Sequence, residues 1–151
     1  MHGDESGSVD RQHNLVGSRR LEPDTHRVQA ERRDMRQDPY VLNVAARPVV
    51  LAAIQRHCAH RGWNLQAAHV RTNHVHVIVE AGIRPEKIMN EFKSYASRAL
   101  NQLTSESLDR KRWARHGSTR WLWKDEDVSH ALRYVIDEQG EPMALFVEDE
   151  L

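Results

Sequence analysis

Cysteine is nearly absent from this chain, whose 151 residues include only Cys58. A single cysteine excludes a disulfide within the chain and a zinc site built from several cysteines of one chain. Any metal must therefore be held by His and by carboxylate or amide groups. Long apolar runs are also absent, and Met1 to Asp10 is acidic and polar, where a signal peptide is basic and then apolar. We therefore expect a soluble, cytoplasmic protein without a membrane span.

The length and charge pattern suit one domain with a basic centre. The 151 residues fit a single compact domain of about 100 to 150 residues. Residues 47–124 carry 14 Lys and Arg against 5 Asp and Glu, whereas residues 125–151 carry 1 against 9. A basic block is typical of polyphosphate binders, since each phosphate contact releases counterions. A solvated charged surface gives the same count, so charge alone does not decide between the two.

The apolar pattern divides the chain into three parts. Residues 1–36 show no apolar period, which predicts a disordered or poorly structured segment. Residues 37–147 are expected to form the folded domain, followed by an acidic tail at residues 148–151. The predicted elements of the domain are, in order, a helix from Arg47 to about Arg61, strands at 63–70 and 74–80, a helix from Pro85 to about Leu103, a short strand at 121–123, a helix from Asp125 or Asp127 to about Gln139, and a terminal strand or docking tail at 143–147. This order indicates an α+β fold, with helices packed on an antiparallel sheet.

Periodicity also predicts which side chains are buried. In the first strand, Trp63, Leu65 and Ala67 are expected to share a face. The core face of the long helix is expected to comprise Ile88, Phe92, Tyr95, Ala96, Ala99 and Leu103. Tyr95 therefore reads as a packing residue.

Two histidines lie two residues apart on the second predicted strand. Because strand side chains alternate, His74 and His76 project from the same face, away from Val75. That geometry suits one divalent cation. A chain with 10 His contains close pairs by chance, so the motif alone is a weak signal.

The last predicted helix adds a phenol and a carboxylate. At 100° per residue, Tyr134 and Glu138 lie 40° apart and one turn apart, on a different face from the apolar stripe of Val128, Leu132, Val135 and Ile136, which is expected to face the sheet. If that face crosses the strand of His74 and His76, the site gains a third ligand and a nucleophile. Taken singly, Tyr134 is more often a boundary aromatic with its hydroxyl in water, and Glu138 a solvated acid at a helix end.

Three segments together resemble the HUH single-tyrosine transposases, especially the REP-associated tyrosine transposases. They are Asn73 to His76, Phe92 to Asn101 and Leu132 to Gln139. The resemblance places the family's His-hydrophobe-His motif on His74 and His76 and its nucleophile on Tyr134. Its third ligand, an amide four residues after the tyrosine, falls on Glu138, an acid here. Gln139 is the alternative, but it lies a further 100° around a continued helix, which favours Glu138.

The resemblance implies an HUH endonuclease fold of ferredoxin-like arrangement and a DNA-cleaving activity. The expected reaction cuts single-stranded DNA beside a hairpin, with Mg²⁺ or Mn²⁺, through a 5′-phosphotyrosine intermediate. Rejoining then needs no ATP, in agreement with the absence of a Gly-x-x-x-x-Gly-Lys loop. Family members begin with an apolar strand; only the stretch from Tyr40 to Val44 offers one here, so the first strand is expected to be missing or degenerate.

The expected partner is single-stranded or hairpin DNA, bound by a monomer or a homodimer. Phosphate contacts and base stacking are assigned to Lys93, Arg98, Arg110, Lys111, Arg112, Arg115, Trp121 and Trp123. Two other functions stay open. A domesticated or decayed relative would bind DNA hairpins without cutting them. An unrelated metal-dependent hydrolase would use His69 with the two motif histidines, and its turnover would survive Tyr134→Phe.

Overall fold

The computed structural model describes residues 39–106 and 110–149. The disordered segment predicted for residues 1–36 lies outside these ranges. The elements are α1 (Ala46–Arg61), β1 (Asn64–Val70), β2 (Val75–Glu80), α2 (Pro85–Leu103), α3 (Asp125–Asp137) and β3 (Ala144–Val147). The predicted α+β class is confirmed. No helix within the described ranges is long and apolar enough to cross a bilayer.

The three strands form one antiparallel sheet in the order β2-β1-β3. The terminal stretch predicted as a strand or a docking tail is a strand, because Val147 to Ala144 pair with Ala67 to Val70 of β1. The short strand predicted at 121–123 is reduced to a single bridge residue, Trp121. In the described part of the chain, the sheet therefore has β1 at its centre.

The two faces of the sheet carry different helices. Val75, Val77 and Val79 pack against the larger core cluster, to which α1 and α2 contribute. Ile78, which points the other way along β2, packs with Val135 of α3 in a second cluster. The predicted alternation of β2 is confirmed, and it puts α3 on the face opposite to α1 and α2. The residues that α1 and α2 give to the larger core include Val50, Ile54, Cys58, Ile88, Phe92, Ala96 and Leu100.

Two predicted faces differ from the structure. Leu65 belongs to the larger cluster and Ala67 to the second one, because the β1–β2 register shifts between them. Such a bulge inserts one residue and so reverses the side of the strand that follows. The core stripe of α2 is Ile88, Phe92, Ala96 and Leu100. Predicted members Tyr95 and Leu103 are exposed.

No strand precedes α1 within the described residues. Tyr40 and Leu42 are nonetheless buried, and the Leu42 N–H donates to the Thr72 carbonyl at 2.8 Å. Arg47 donates from its guanidinium to the Leu42 carbonyl at 3.0 Å. The apolar stretch thus packs beside the β1–β2 turn without pairing as a strand.

Candidate active site

The two motif histidines lie together on the sheet face that α3 covers. Their ring centroids are 4.9 Å apart and nearly perpendicular, at 74°. His74 Nδ1 lies 2.7 Å from Asn73 Oδ1. Because an amide oxygen only accepts hydrogen bonds, Nδ1 of His74 carries the proton, and its Nε2 presents a lone pair. Asn73 therefore fixes the tautomer in which His74 Nε2 carries no proton.

Tyr134 meets the histidine pair from α3. Its ring centroid lies 5.5 Å from that of His76, at 80°. The neighbouring residue, Val135, packs on Ala67 of β1 and Ile78 of β2, which fixes the rotation of the helix on the sheet. Tyr134 then stands at the margin of the contact with its side chain 49% exposed. The Tyr134 ring therefore contacts His76 and is also open to solvent.

Gln139 joins the two histidines to the tyrosine. Its Oε1 lies 3.1 Å from His76 Nε2 and 3.4 Å from His74 Nε2. Its Nε2 donates to the backbone carbonyl of Tyr134 at 3.2 Å. Since a carbonyl accepts only, that bond orients the amide and turns Oε1 toward the imidazoles.

The structure thus brings Gln139, rather than Glu138, to the position where the third ligand was predicted. Helix α3 ends at Asp137, and Glu138 has non-helical angles of φ −106° and ψ 14°. A continued 100° rotation per residue therefore does not apply to Gln139. The signal for this in the sequence is Gly140, which adopts φ 81° and reverses the chain just after Gln139. Glu138 is exposed.

The separations of Gln139 Oε1 from the two imidazole nitrogens suit a small divalent cation. Neighbouring ligands around a six-coordinate ion with bonds of 2.0–2.1 Å are about 3.0 Å apart, close to the 3.1 and 3.4 Å separations of Gln139 Oε1 from the two Nε2 atoms. The lone pairs of His74 Nε2 and Gln139 Oε1 face each other without a proton between them. Among the described residues, no group of three or more His, Cys, Asp or Glu forms a metal cluster. A cation site formed with the two motif histidines would therefore need the Gln139 amide oxygen as its third ligand.

His76 is held in its neutral form. Burial and, next, the positive charge that His74 can carry lower its pKa to about 4. A metal ligand must be the neutral imidazole, and because Gln139 Oε1 accepts from His76 Nε2 at 3.1 Å, a cation at Nε2 would require the His76 proton to move to Nδ1.

A family model described as "Transposase IS200 like" matches residues 32–131. The match covers more than half of the chain. The chain belongs to the IS200-like transposases. No curated protein and no solved structure matches it. The matched range ends before Tyr134 and Gln139, so their assignment rests on the geometry above. Family membership supports, in general terms, a transposase role with DNA as partner.

The other tyrosines of this transposase have different surroundings. Tyr95 stacks on His57 at 4.2 Å, and the Arg98 guanidinium lies over its ring. Tyr40 is buried, and its hydroxyl donates to Glu106 Oε2 at 3.0 Å. Of the three tyrosines, Tyr134 alone has a described ring contact with the motif histidines.

A ladder of side chains on α2 holds part of the basic loop at residues 110–120 of the transposase. The ladder residues Lys93, Ser97 and Asn101 are spaced by four and so share one face of the helix. Lys93 donates to the Ala114 carbonyl at 2.9 Å, Ser97 Oγ accepts from the Trp113 indole at 2.7 Å, and Asn101 Oδ1 accepts from Arg112 at 2.8 Å. The loop segment 112–114 is thus docked on α2.

This docking divides the basic residues into two groups. Arg112 is 5% exposed, and its guanidinium also reaches Glu106 at 2.9 Å. Lys93 is half-buried, and burial lowers its pKa. Both were predicted to contact phosphate, but their cationic groups form the hydrogen bonds that dock the loop segment 112–114 on α2. Lys111, Arg115 and Arg98 are exposed.

Arg112→Leu is expected to affect stability, and Arg115→Leu is expected to affect DNA binding. Arg112→Leu removes charged hydrogen bonds from a buried site and should lower the free energy of unfolding by about 2 kcal/mol, measured in urea. Arg115→Leu should leave stability within about 0.5 kcal/mol and reduce the salt dependence of DNA binding by about one phosphate contact. Equal stability losses in both variants would contradict the division.

Two tryptophans form an exposed parallel pair next to α3. The Trp121 and Trp123 rings are 5.1 Å apart at 11°, and they are 39% and 70% exposed. Leu122, between them, packs on the cluster that contains Val135. The pair is therefore anchored beside the helix that carries Tyr134. Exposed aromatic planes of this kind suit unpaired bases.

Proposed function

We propose that this transposase cleaves and rejoins single-stranded DNA beside hairpins, in the manner of the REP-associated HUH transposases, through a covalent bond to Tyr134. The observation that carries the proposal is the meeting of Tyr134 with His76, at 5.5 Å between ring centroids, in a site bridged by Gln139. A solvent-accessible phenol beside a set of cation-binding atoms is the arrangement that nucleophilic attack on a phosphodiester requires.

The proposed cleavage exchanges one phosphoester for another. The Tyr134 oxygen attacks the phosphorus and loses its proton to solvent, while the bond from phosphorus to the 3′ oxygen breaks. That oxygen takes up a proton and leaves as a 3′-hydroxyl, and the 5′-phosphate stays on Tyr134. Attack by another 3′-hydroxyl reverses these steps, so no ATP is consumed.

The residues proposed to hold Mg²⁺ or Mn²⁺ are His74, His76 and Gln139. A bound divalent cation would withdraw electron density from the scissile phosphate and offset charge that develops during attack. Asn73 keeps His74 in the tautomer with a free Nε2, and the Tyr134 carbonyl keeps the Gln139 oxygen directed at both rings. Two imidazoles favour Mn²⁺ over Mg²⁺, which prefers oxygen ligands.

The proposed DNA path runs over the exposed cations, the half-buried Arg110 and the tryptophan pair. Lys111, Arg115, Arg98 and Arg110 are proposed to contact phosphates, and Arg110 is held over the Tyr40 ring at 5.2 Å. Trp121 and Trp123 are proposed to stack on bases that the hairpin leaves unpaired.

End-labelled DNA tests the proposal and its polarity. A hairpin oligonucleotide with a single-stranded flank is incubated with the protein and Mn²⁺, then resolved on a denaturing protein gel. A 3′ label is expected to migrate with the protein, and a 5′ label with a shortened free strand. EDTA should abolish both signals. Hairpin binding without any adduct would refute cleavage and favour a decayed relative that only binds DNA.

Trp123→Ala is expected to weaken binding to a single-stranded flank by about 1–3 kcal/mol, as the loss of one stacked base does. Fluorescence titration with a hairpin that carries or lacks the flank measures this effect. The matched control is Trp113→Phe, because Trp113 donates its indole N–H to Ser97 of α2, where the loop segment 112–114 packs on the helix. That control should lower stability and leave flank binding unchanged. A flank-independent effect of Trp123→Ala would contradict stacking.

A further inference from the structure

We propose that His69 is a positioning residue that holds the two ends of the segment 135–143, and so fixes Tyr134 and Gln139 relative to the motif histidines. This inference rests on the proposed function of Tyr134 and Gln139. His69 lies in β1, is 0% exposed and pairs across the sheet with His76.

Both ring nitrogens of His69 are engaged with the segment. Nδ1 lies 3.0 Å from the Val135 carbonyl, and Nε2 accepts from the Met143 N–H at 3.0 Å. Val135 directly follows Tyr134, and Met143 lies four residues after Gln139. One imidazole therefore ties the helix that carries the nucleophile to the strand entry beyond the amide.

The contact with His69 gives the Val135 carbonyl, near the end of α3, a hydrogen-bond partner. An α-helix leaves its last four carbonyls without a partner inside the helix, and α3 ends at Asp137. His69 supplies a donor to one of these carbonyls inside the protein, where an unpaired carbonyl is unfavourable. The end of α3 is thereby held against β1.

Arg71 also binds the segment 135–143. It donates to the Glu141 carbonyl at 2.9 Å and lies 3.5 Å from His69 Nε2. Two donors at Nε2 and one carbonyl at Nδ1 define a neutral His69 with its proton on Nδ1. With both nitrogens so used, His69 has no lone pair for a cation, which argues against the hydrolase that would use it as a ligand.

The first test does not depend on catalysis. Long-range ¹H–¹⁵N NMR of the imidazoles is expected to show His69 as the Nδ1–H tautomer, and hydrogen exchange should show a protected Met143 amide. His69→Leu should raise the exchange rate of the Met143 amide by at least about tenfold beyond the increase that a loss of global stability causes at other amides. An Nε2–H tautomer or an unprotected Met143 amide would overturn this clamp, meaning the hold of His69 on both ends of the segment 135–143, whether or not the protein cuts DNA.

The second test compares His69 with another buried histidine. His57 is also buried, but its Nε2 bonds Glu91 at 2.9 Å between α1 and α2. Single-turnover adduct formation and hairpin affinity are measured for His69→Leu, His69→Asn and His57→Leu at temperatures at which each is folded. The His69→Asn amide can still donate toward Val135.

The expected pattern separates positioning from folding. His69→Leu should slow adduct formation by about 10- to 100-fold, the usual cost of losing a residue that supports a site, with hairpin affinity within about twofold. His69→Asn should recover part of the rate, and His57→Leu should lower thermal stability without slowing the reaction. Equal rate losses at both positions would refute the clamp, whereas a wild-type protein without any adduct would refute the proposed function instead.

Discussion

Replacing Tyr134 with phenylalanine is expected to abolish the covalent protein–DNA adduct, with a loss of about 10⁴-fold or more in its rate of formation. Phenylalanine keeps the ring that meets His76 but lacks the oxygen that attacks phosphorus. The measurement is a single-turnover reaction of a 3′-labelled hairpin oligonucleotide with Mn²⁺, in which labelled protein is quantified after denaturing electrophoresis.

The matched control for this variant is Tyr95→Phe. Tyr95 is also on a helix surface, but it stacks on His57, so its hydroxyl has no part in the proposed reaction. That variant should form the adduct at the wild-type rate. Tyr134→Phe itself should bind the hairpin normally and unfold within about 0.5 kcal/mol of wild type, because the side chain is at the surface. Adducts that persist in Tyr134→Phe would exclude Tyr134 as the nucleophile.

Gln139→Ala is expected to weaken Mn²⁺ binding by at least about 100-fold, since even residues that only support a ligand contribute about 10- to 100-fold. The amide oxygen is the atom that lies within 3.4 Å of both imidazole Nε2 atoms. Calorimetric titration of Mn²⁺ into the protein measures the change, and the adduct rate should fall in parallel.

Glu138→Ala is the control that separates the two neighbouring residues. Glu138 is exposed at the C-terminal cap of α3, so its loss should change Mn²⁺ affinity by less than about threefold. The reverse pattern, with a large loss in Glu138→Ala and none in Gln139→Ala, would restore Glu138 as the ligand and contradict the geometry.

The parts of the site that lie on regular structure could be predicted from the sequence. Alternation along β2 places His74 and His76 opposite Val75 and Val77, because a strand has a strict period of two. The helical period of α3 likewise places Val135 on the sheet and Tyr134 to one side. The approach of Tyr134 to the histidines needed the structure, since periodicity defines faces but not which element crosses which.

The structure departs from the predicted positions where regular structure stops. The ligand position fell on Glu138 because a helical rotation was extended past Asp137, where α3 ends. The face of Ala67 was wrong because a bulge in β1 is not visible in the apolar pattern. Arg112 was grouped with surface cations because its partners, Glu106 and Asn101, are known only from the packing of the loop on α2.

Mass spectrometry of the adduct tests the central meeting of phenol and imidazoles most directly. The chain contains three tyrosines, so nuclease and protease digestion of the adduct leaves a nucleotide on one of three distinguishable peptides. The account predicts that the nucleotide is found on Tyr134. A nucleotide on Tyr40 or Tyr95 would contradict it.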